Sequence, residues 1–376
     1  MPYCEISDSD TRIFYRTYGH GSTKVLLIIG LAATHEAWGP QIKGLARTAE
    51  PNEEEGSPAA VGPGSDGSEE DGQATGGGVE VCCFDNRGVG RSSIPTKKSD
   101  YTTTIMAKDA LALLDHLGWR KAHVFGHSMG SMIACKLAAI APDRLLSLAL
   151  LNATGGGFEC FPRIDSEMIS LAFRFLRAKT PEERAAVDLE THYTKEYLNE
   201  CVGSTTRRKI LHEEYVKAIS STGMQSTCGF EGQMNACWTH KMTSKELDKI
   251  RTSGFLISVI HGRHDIIAQL CHAKRLAEKL QPAARMVELH GGHLVSHERP
   301  DEVNQALTDL IKASNSRIEP EDWSNMNGTT SGVCVMGFEH MKNIIRKPAR
   351  VADYNSQGVH LRYNDDGPLK RRDEYD

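Results

Sequence analysis

The sequence has no run of 18 apolar residues, no basic segment leading into an apolar stretch at its start, and no long basic stripe. The first two absences argue against a membrane-spanning helix and a secretory leader. The third, with 44 Lys plus Arg against 49 Asp plus Glu and a net charge of -5, makes nucleic acid a poor partner. Ten cysteines are present, but no C-x-x-C pair and no short disulfide framework. Thiols scattered through core-like segments fit a reducing compartment, so the cytoplasm is expected, with the nucleus as alternative. Neither G-x-x-x-x-G-K-[ST] nor H-E-x-x-H occurs, which argues against phosphate-loop chemistry and zinc hydrolysis. No cofactor and no metal is expected. What is present is the composition of an ordinary folded protein, with 39% hydrophobic and 25% charged residues.

Along the chain, segments 3–7 and 12–18 read as a hairpin, and the apolar run Val25 to Ile29, closed by Gly30, reads as a strand covered on both faces. From Ala49 to Gly78 the chain turns to Glu, Gly, Ser and Pro, which predicts a disordered surface insertion inside one domain. After it, strand and helix patterns alternate: a strand Val79 to Phe84, a helix 105–117, a strand 122–125, a helix Met129 to Ile140, and a strand Leu145 to Leu151. That alternation builds a parallel βαβ sheet. Residues 1–154 thus form the first part of a core. From 155 to 250 strands give way to helical segments, 167–178, 181–189 and 207–219 among them, which read as a cap. Residues 251–315 resume the sheet with strands 254–260 and 284–289 and helices 269–280 and 301–313. Residues 316–376 are polar and irregular and are expected to be a mostly disordered tail.

The chemistry concentrates at strand ends. Gly126-His127-Ser128-Met129-Gly130 matches G-x-S-x-G directly after a strand and at the opening of a helix. A serine on so sharp a turn needs small neighbours, and the helix start aims amide donors at a developing oxyanion. Ser128 is therefore the candidate nucleophile and the Met129 amide one oxyanion donor. The Leu31 amide, in the turn Ile29-Gly30-Leu31-Ala32, is the second. Asp265, just past the strand 254–260, is the candidate acid, because Asn152 at the end of the preceding strand carries no charge. His293, in Gly291-Gly292-His293, is the candidate base, with His290 and His297 read as structural. The order Ser, Asp, His and the placement of each after a strand turn a weak five-residue match into a triad. Asp85 and Arg87 read as a tight, charge-assisted turn near the site.

With these residues in place the chain resembles the α/β-hydrolase superfamily, in its branch of capped esterases, haloperoxidase-like enzymes, enol-lactonases and aminoacrylate-type hydrolases. The resemblance rests on five ordered segments: Leu27-Ile28-Ile29-Gly30-Leu31, Asp85 to Ser92, Gly126 to Gly130, His261 to Asp265, and Gly292-His293 with Glu298-Arg299-Pro300. The resemblance covers about residues 10 to 315. The resemblance implies an α/β-hydrolase fold: a mostly parallel eight-stranded sheet, helices on both faces, and a helical cap inserted after strand 6. It also implies an acyl-enzyme mechanism. One departure is that Ile29-Gly30 stands where His-Gly is usual in the oxyanion turn.

The function expected is hydrolysis of an ester, thioester or similar acyl bond in a small molecule. Trp238, Tyr193, Phe173 and Phe175 are candidate pocket linings supplied by the cap. Two alternatives use the same scaffold: a ligand-binding or signalling protein with little turnover, and an acyltransferase or perhydrolase on the same triad. Nothing in the sequence bears on the oligomeric state.

Overall fold

Short apolar runs become the strands of the computed structural model: β1 (Tyr3–Ile6), β2 (Thr11–Tyr18), β3 (Thr23–Ile28), β4 (Val79–Phe84), β5 (Ala122–His127), β6 (Leu145–Leu151), β7 (Cys201–Val202), β8 (Thr205–Thr206), β9 (Leu256–Gly262) and β10 (Ala284–Leu289). The structure describes residues 2–7, 10–53, 77–223 and 225–326. Most of the insertion expected at 49–78 and of the tail expected at 316–376 lies outside these residues. Eight strands join in one sheet in the order β1-β2-β4-β3-β5-β6-β9-β10. β2 runs antiparallel to β1 and β4, and every other pairing in that sheet is parallel. β7 and β8 form a separate two-stranded hairpin that the sequence pattern did not suggest.

The helices are α1 (Gly39–Ala46), α2 (Thr103–His116), α3 (Met129–Ile140), α4 (Ser166–Arg177), α5 (Pro181–His192), α6 (Lys195–Asn199), α7 (Arg207–Thr222), α8 (Thr227–Thr239), α9 (Ser244–Arg251), α10 (Leu270–Lys279), α11 (Val295–Glu298), α12 (Pro300–Asn315) and α13 (Pro320–Asn325). They cover both faces of the sheet, which is why the central strands are apolar at nearly every position rather than alternately. Leu26 and Ile28 of β3 pack with Met106, Ile133 and Leu276 on one face. Val25 and Leu27 pack with Ile42 and Leu307 on the other.

Three boundaries differ from the sequence reading. The first concerns α9, placed in a cap running to residue 250. Leu247 and Ile250 are buried in the same cluster as Ile133 of α3, and Glu246 pairs with Lys136 at 2.6 Å, so α9 belongs to the core layer. Second, the core continues past 315: in α13 Trp323 is 1% exposed, and its Nε1 donates to the Ile257 carbonyl at 2.8 Å. The Trp323 indole, with Ile318 packed against the same cluster, anchors a largely polar segment. Third, the start of the expected insertion is tied down, because Asn52 N donates to the Thr17 carbonyl at 2.8 Å and Pro51 bridges to Tyr18.

Candidate active site

The turn from β5 into α3 carries Ser128 at φ 55 and ψ -120, a left-handed backbone that is strained for a serine. The residues two positions to either side, Gly126 and Gly130, must be glycine for a steric reason. A Cβ on Gly126 would overlap the Gly130 carbonyl, and one on Gly130 would overlap the Ile28 carbonyl of β3. The turn is fixed by Ser128 N donating to the Leu151 carbonyl at 2.9 Å, and by Ser131 Oγ donating to the carbonyls of Gly126 and Leu151.

Ser128 Oγ lies 3.1 Å from His293 Nε2, and His293 Nδ1 lies 2.8 Å from Asp265 Oδ2. The three residues come from loops after β5, β9 and β10, at the carboxyl edge of the sheet. Asp265 is buried and fully engaged. Its Oδ1 accepts the amides of Ile267 and Ala268, both at 2.8 Å, and its Oδ2 also accepts Asn152 Nδ2 at 2.7 Å. Burial alone would push this carboxyl up. The charge and hydrogen bond of His293, helped by His261 and Asn152, outweigh burial and bring it to about 2. Asp265 is thus a carboxylate at any working pH. Two further imidazoles flank His293: His127 at 5.0 Å between ring centroids and His192, stacked, at 6.1 Å. Burial, then the charge of His293, lowers each of them to about 3, so both stay neutral. His127 is locked by its Nε2, 2.9 Å from the His293 carbonyl.

On the opposite side of Ser128 runs the turn 29–32. Gly30 approaches closely enough that a Cβ there would sit 3.1 Å from Ser128 Cβ. Among the described residues no acceptor engages the Leu31 amide, and Met129 is the first residue of α3, where an amide has no partner within the helix. The turn is held by Asn86 Nδ2 donating to the Ile29 carbonyl at 2.8 Å and by Ala32 N donating to Gln233 Oε1 at 2.9 Å. Asp85 accepts the amides of His35 and Arg91, whereas Arg87 forms a bidentate pair with Asp109 of α2 at 2.6 and 2.7 Å. The two charged residues therefore brace separate elements and do not pair with each other.

The four aromatic residues expected to line a pocket are scattered. Tyr193 is buried in a small cluster with Leu189, Leu198 and Leu294, its hydroxyl 2.9 Å from His297 Nδ1, so it serves as packing. Phe173 is exposed on α4 beneath Arg177, and Phe175 packs between Phe230 and Arg184. Trp238 is half exposed in an aromatic group with Phe158 and Phe161. No described contact brings any of the four to Ser128. Among the described residues no group of three His, Cys, Asp or Glu is placed to hold a metal ion, and no helix is long and apolar enough to cross a membrane.

The model of the α/β hydrolase fold family matches residues 24–300. The chain belongs to that family. A protein of Azorhizobium caulinodans bearing the name carbamate hydrolase RutD is 26% identical to this α/β-hydrolase over 320 residues, which is 82% of this chain and 97% of the relative. A Mycobacterium tuberculosis protein bearing the name non-heme bromoperoxidase BpoC is 27% identical over 235 residues, 61% of this chain and 82% of that one. Among solved structures, the enol-lactonase from Burkholderia xenovorans LB400 superposes with a TM-score of 0.60 at 22% identity, covering 83% of this chain and all of that one. That last likeness is one of fold.

Three residues that hold this α/β-hydrolase site together were given no site role in the sequence reading. Asn152, noted only for lacking charge, sits at φ 48 and donates to Asp265. Glu298 accepts from the amides of Gly292 and Thr194 and from the Thr194 hydroxyl, tying the His293 loop to the junction between α5 and α6. Gln233 of α8 bridges the turn 29–32 to the Arg87 carbonyl. Each works through a fold-dependent partner more than 80 positions away, beyond the reach of a local motif.

Proposed function

We propose that the protein is a serine hydrolase that cleaves an ester, thioester or similar acyl bond of a small molecule through an acyl-enzyme on Ser128. The observation that carries this reading is the line from Ser128 Oγ to His293 Nε2 at 3.1 Å and from His293 Nδ1 to Asp265 Oδ2 at 2.8 Å, with Ser128 held at positive φ. His293 takes the hydroxyl proton as Oγ bonds to the substrate carbonyl carbon. The carbonyl π electrons move to oxygen, and the amides of Leu31 and Met129 receive that charge. Collapse expels the alcohol or thiol, which leaves with the proton from His293. Water, deprotonated by the same imidazole, then attacks the acyl carbon and frees Ser128 with the acid. Asp265 keeps its charge throughout and fixes the His293 tautomer. In this reading the helices α4 to α8 form the cap over the substrate, and the cytoplasm keeps the scattered thiols reduced. The relative named for carbamate hydrolysis supports a carbonyl substrate, since a carbamate carbon is attacked in the same way.

The test is labelling with a fluorophosphonate probe beside Ser128→Ala, with a short-chain p-nitrophenyl ester assay on both. Labelling and turnover that vanish together in the variant are expected. A well-folded wild type that neither labels nor turns over the ester refutes the reading.

A further inference from the structure

His293 is gripped by an imidazole from outside the sheet. Helix α5 starts in a capping box, Thr180 with Glu183, and ends at His192, whose carbonyl has no partner within the helix. Leu294 N donates to that carbonyl at 2.9 Å, so the last residue of α5 is bonded to the residue after His293. The approach is close: a Cβ on Gly292, the residue before His293, would sit 2.9 Å from the same carbonyl. Leu189, Tyr193 and Leu198 pack with Leu294 and fix the junction.

The His192 ring lies nearly parallel to that of His293, at 24° and 6.1 Å between centroids, whereas His127 meets it T-shaped at 62° and 5.0 Å. His293 is tethered at its two nitrogens, to Asp265 and to Ser128. Bonds at the two ends of one axis leave a ring free to tilt about that axis, and packed neighbours remove the freedom. His127 does this from β5, and its Nε2 also lies 2.9 Å from the His293 carbonyl. His192 repeats the arrangement from α5, ring against ring and backbone against backbone. Its Nδ1 is buried without a hydrogen-bond partner among the described residues, so no bond at that atom orients the ring. Burial also keeps it uncharged, and it therefore sets no like charge against the imidazolium that His293 becomes on taking a proton.

We propose that His192 is a positioning residue, whose ring, stacked on His293, holds that imidazole in the plane that points Nε2 at Ser128 Oγ. The inference rests on Ser128 and His293 being the reacting pair of a serine hydrolase. It requires a flat ring at position 192, and an apolar one serves.

The full chain is compared with His192→Ala, His192→Gln and His192→Phe, each of which keeps the backbone carbonyl. Two readouts are taken: p-nitrophenyl acetate kinetics, and the far-downfield proton resonance of His293 Nδ1–H, which reports the bond to Asp265 without turnover. In His192→Ala and His192→Gln that still unfold cooperatively, kcat is expected to fall about tenfold or more with little change in KM, and the resonance to broaden or shift. His192→Phe should recover most of the lost kcat and the resonance. A His192→Ala variant with wild-type kcat and resonance overturns the proposal. So does a His192→Gln variant that works where His192→Phe fails, since that assigns a ring nitrogen to the substrate. Wild-type protein inert to the ester and to a fluorophosphonate would refute the hydrolase reading instead. The resonance then decides the positioning alone: loss in His192→Ala with retention in His192→Phe sustains it, and no change overturns it.

Discussion

The two sides of Ser128 are built differently. On the acid side Asp265 receives two backbone amides, the Asn152 amide and the His293 ring, all from loops at the ends of β6, β9 and β10. On the oxyanion side the turn 29–32, with Ala32 at φ 60, is held by Asn86 and by Gln233, which comes from α8. The acid is fixed by the core and over-determined. The turn 29–32 leans on a single side chain of α8, Gln233, so under the proposed mechanism a shift of α8 would reach the Leu31 amide that receives developing charge. With α4 to α8 as the proposed cap, this arrangement would couple what the cap holds to transition-state stabilisation, while Asp265 and His293 stay in place.

Substitutions can break or sharpen that contrast. The largest loss belongs to neither side: Ser128→Ala should lower kcat by about 10⁴-fold or more, measured with a p-nitrophenyl ester. Asp265→Asn, which keeps the shape but reverses the hydrogen bond to His293, should cost about 10³ to 10⁴-fold in kcat. Gln233→Ala frees the turn without removing a donor. Since losing one oxyanion donor outright costs about 10² to 10³-fold, a fall in kcat of about tenfold with little change in KM is expected. Asn152→Gly preserves the positive φ and leaves Asp265 three of its four partners, so a loss of about threefold is expected. If Asn152→Gly costs more than Gln233→Ala, the acid side is not the over-determined one.

The last effect spares turnover at neutral pH and appears in stability. His127 and His192, brought from an ordinary 6.5 to about 3 by burial, bind no proton in the native state where the unfolded chain does. Their contribution is present above pH 6.5 and erodes as pH falls toward 3, before Asp265 is touched at about 2. The thermal midpoint should decline steadily from pH 7 to pH 4, and a flat profile would count against buried neutral imidazoles.

The sheet and its chemistry were legible where a residue's role follows from its immediate neighbours. β6, β10 and α3 begin and end at the residues their apolar patterns indicate, and a serine between glycines after a strand announces its strained turn. What escaped depends on distant packing. α8 carries Gly229 and Gly232, poor helix formers kept because a Cβ at either would run into Gly88 or Tyr101. α9 spans eight residues, too few for its apolar pair Leu247 and Ile250 to reveal which layer it joins. Trp323 lies in a largely polar stretch that reads as tail. Trp238, Tyr193, Phe173 and Phe175 were chosen as large cap aromatics, and large aromatics also serve as packing and as surface.

The account turns on a covalent bond at Ser128, and trapping that bond is the most direct measurement. Protein mixed rapidly with p-nitrophenyl acetate, quenched in acid and digested should show a burst of nitrophenol and an acetyl group on the peptide that contains Ser128. Steady turnover with that serine unmodified at every quench time, and no burst, would contradict it.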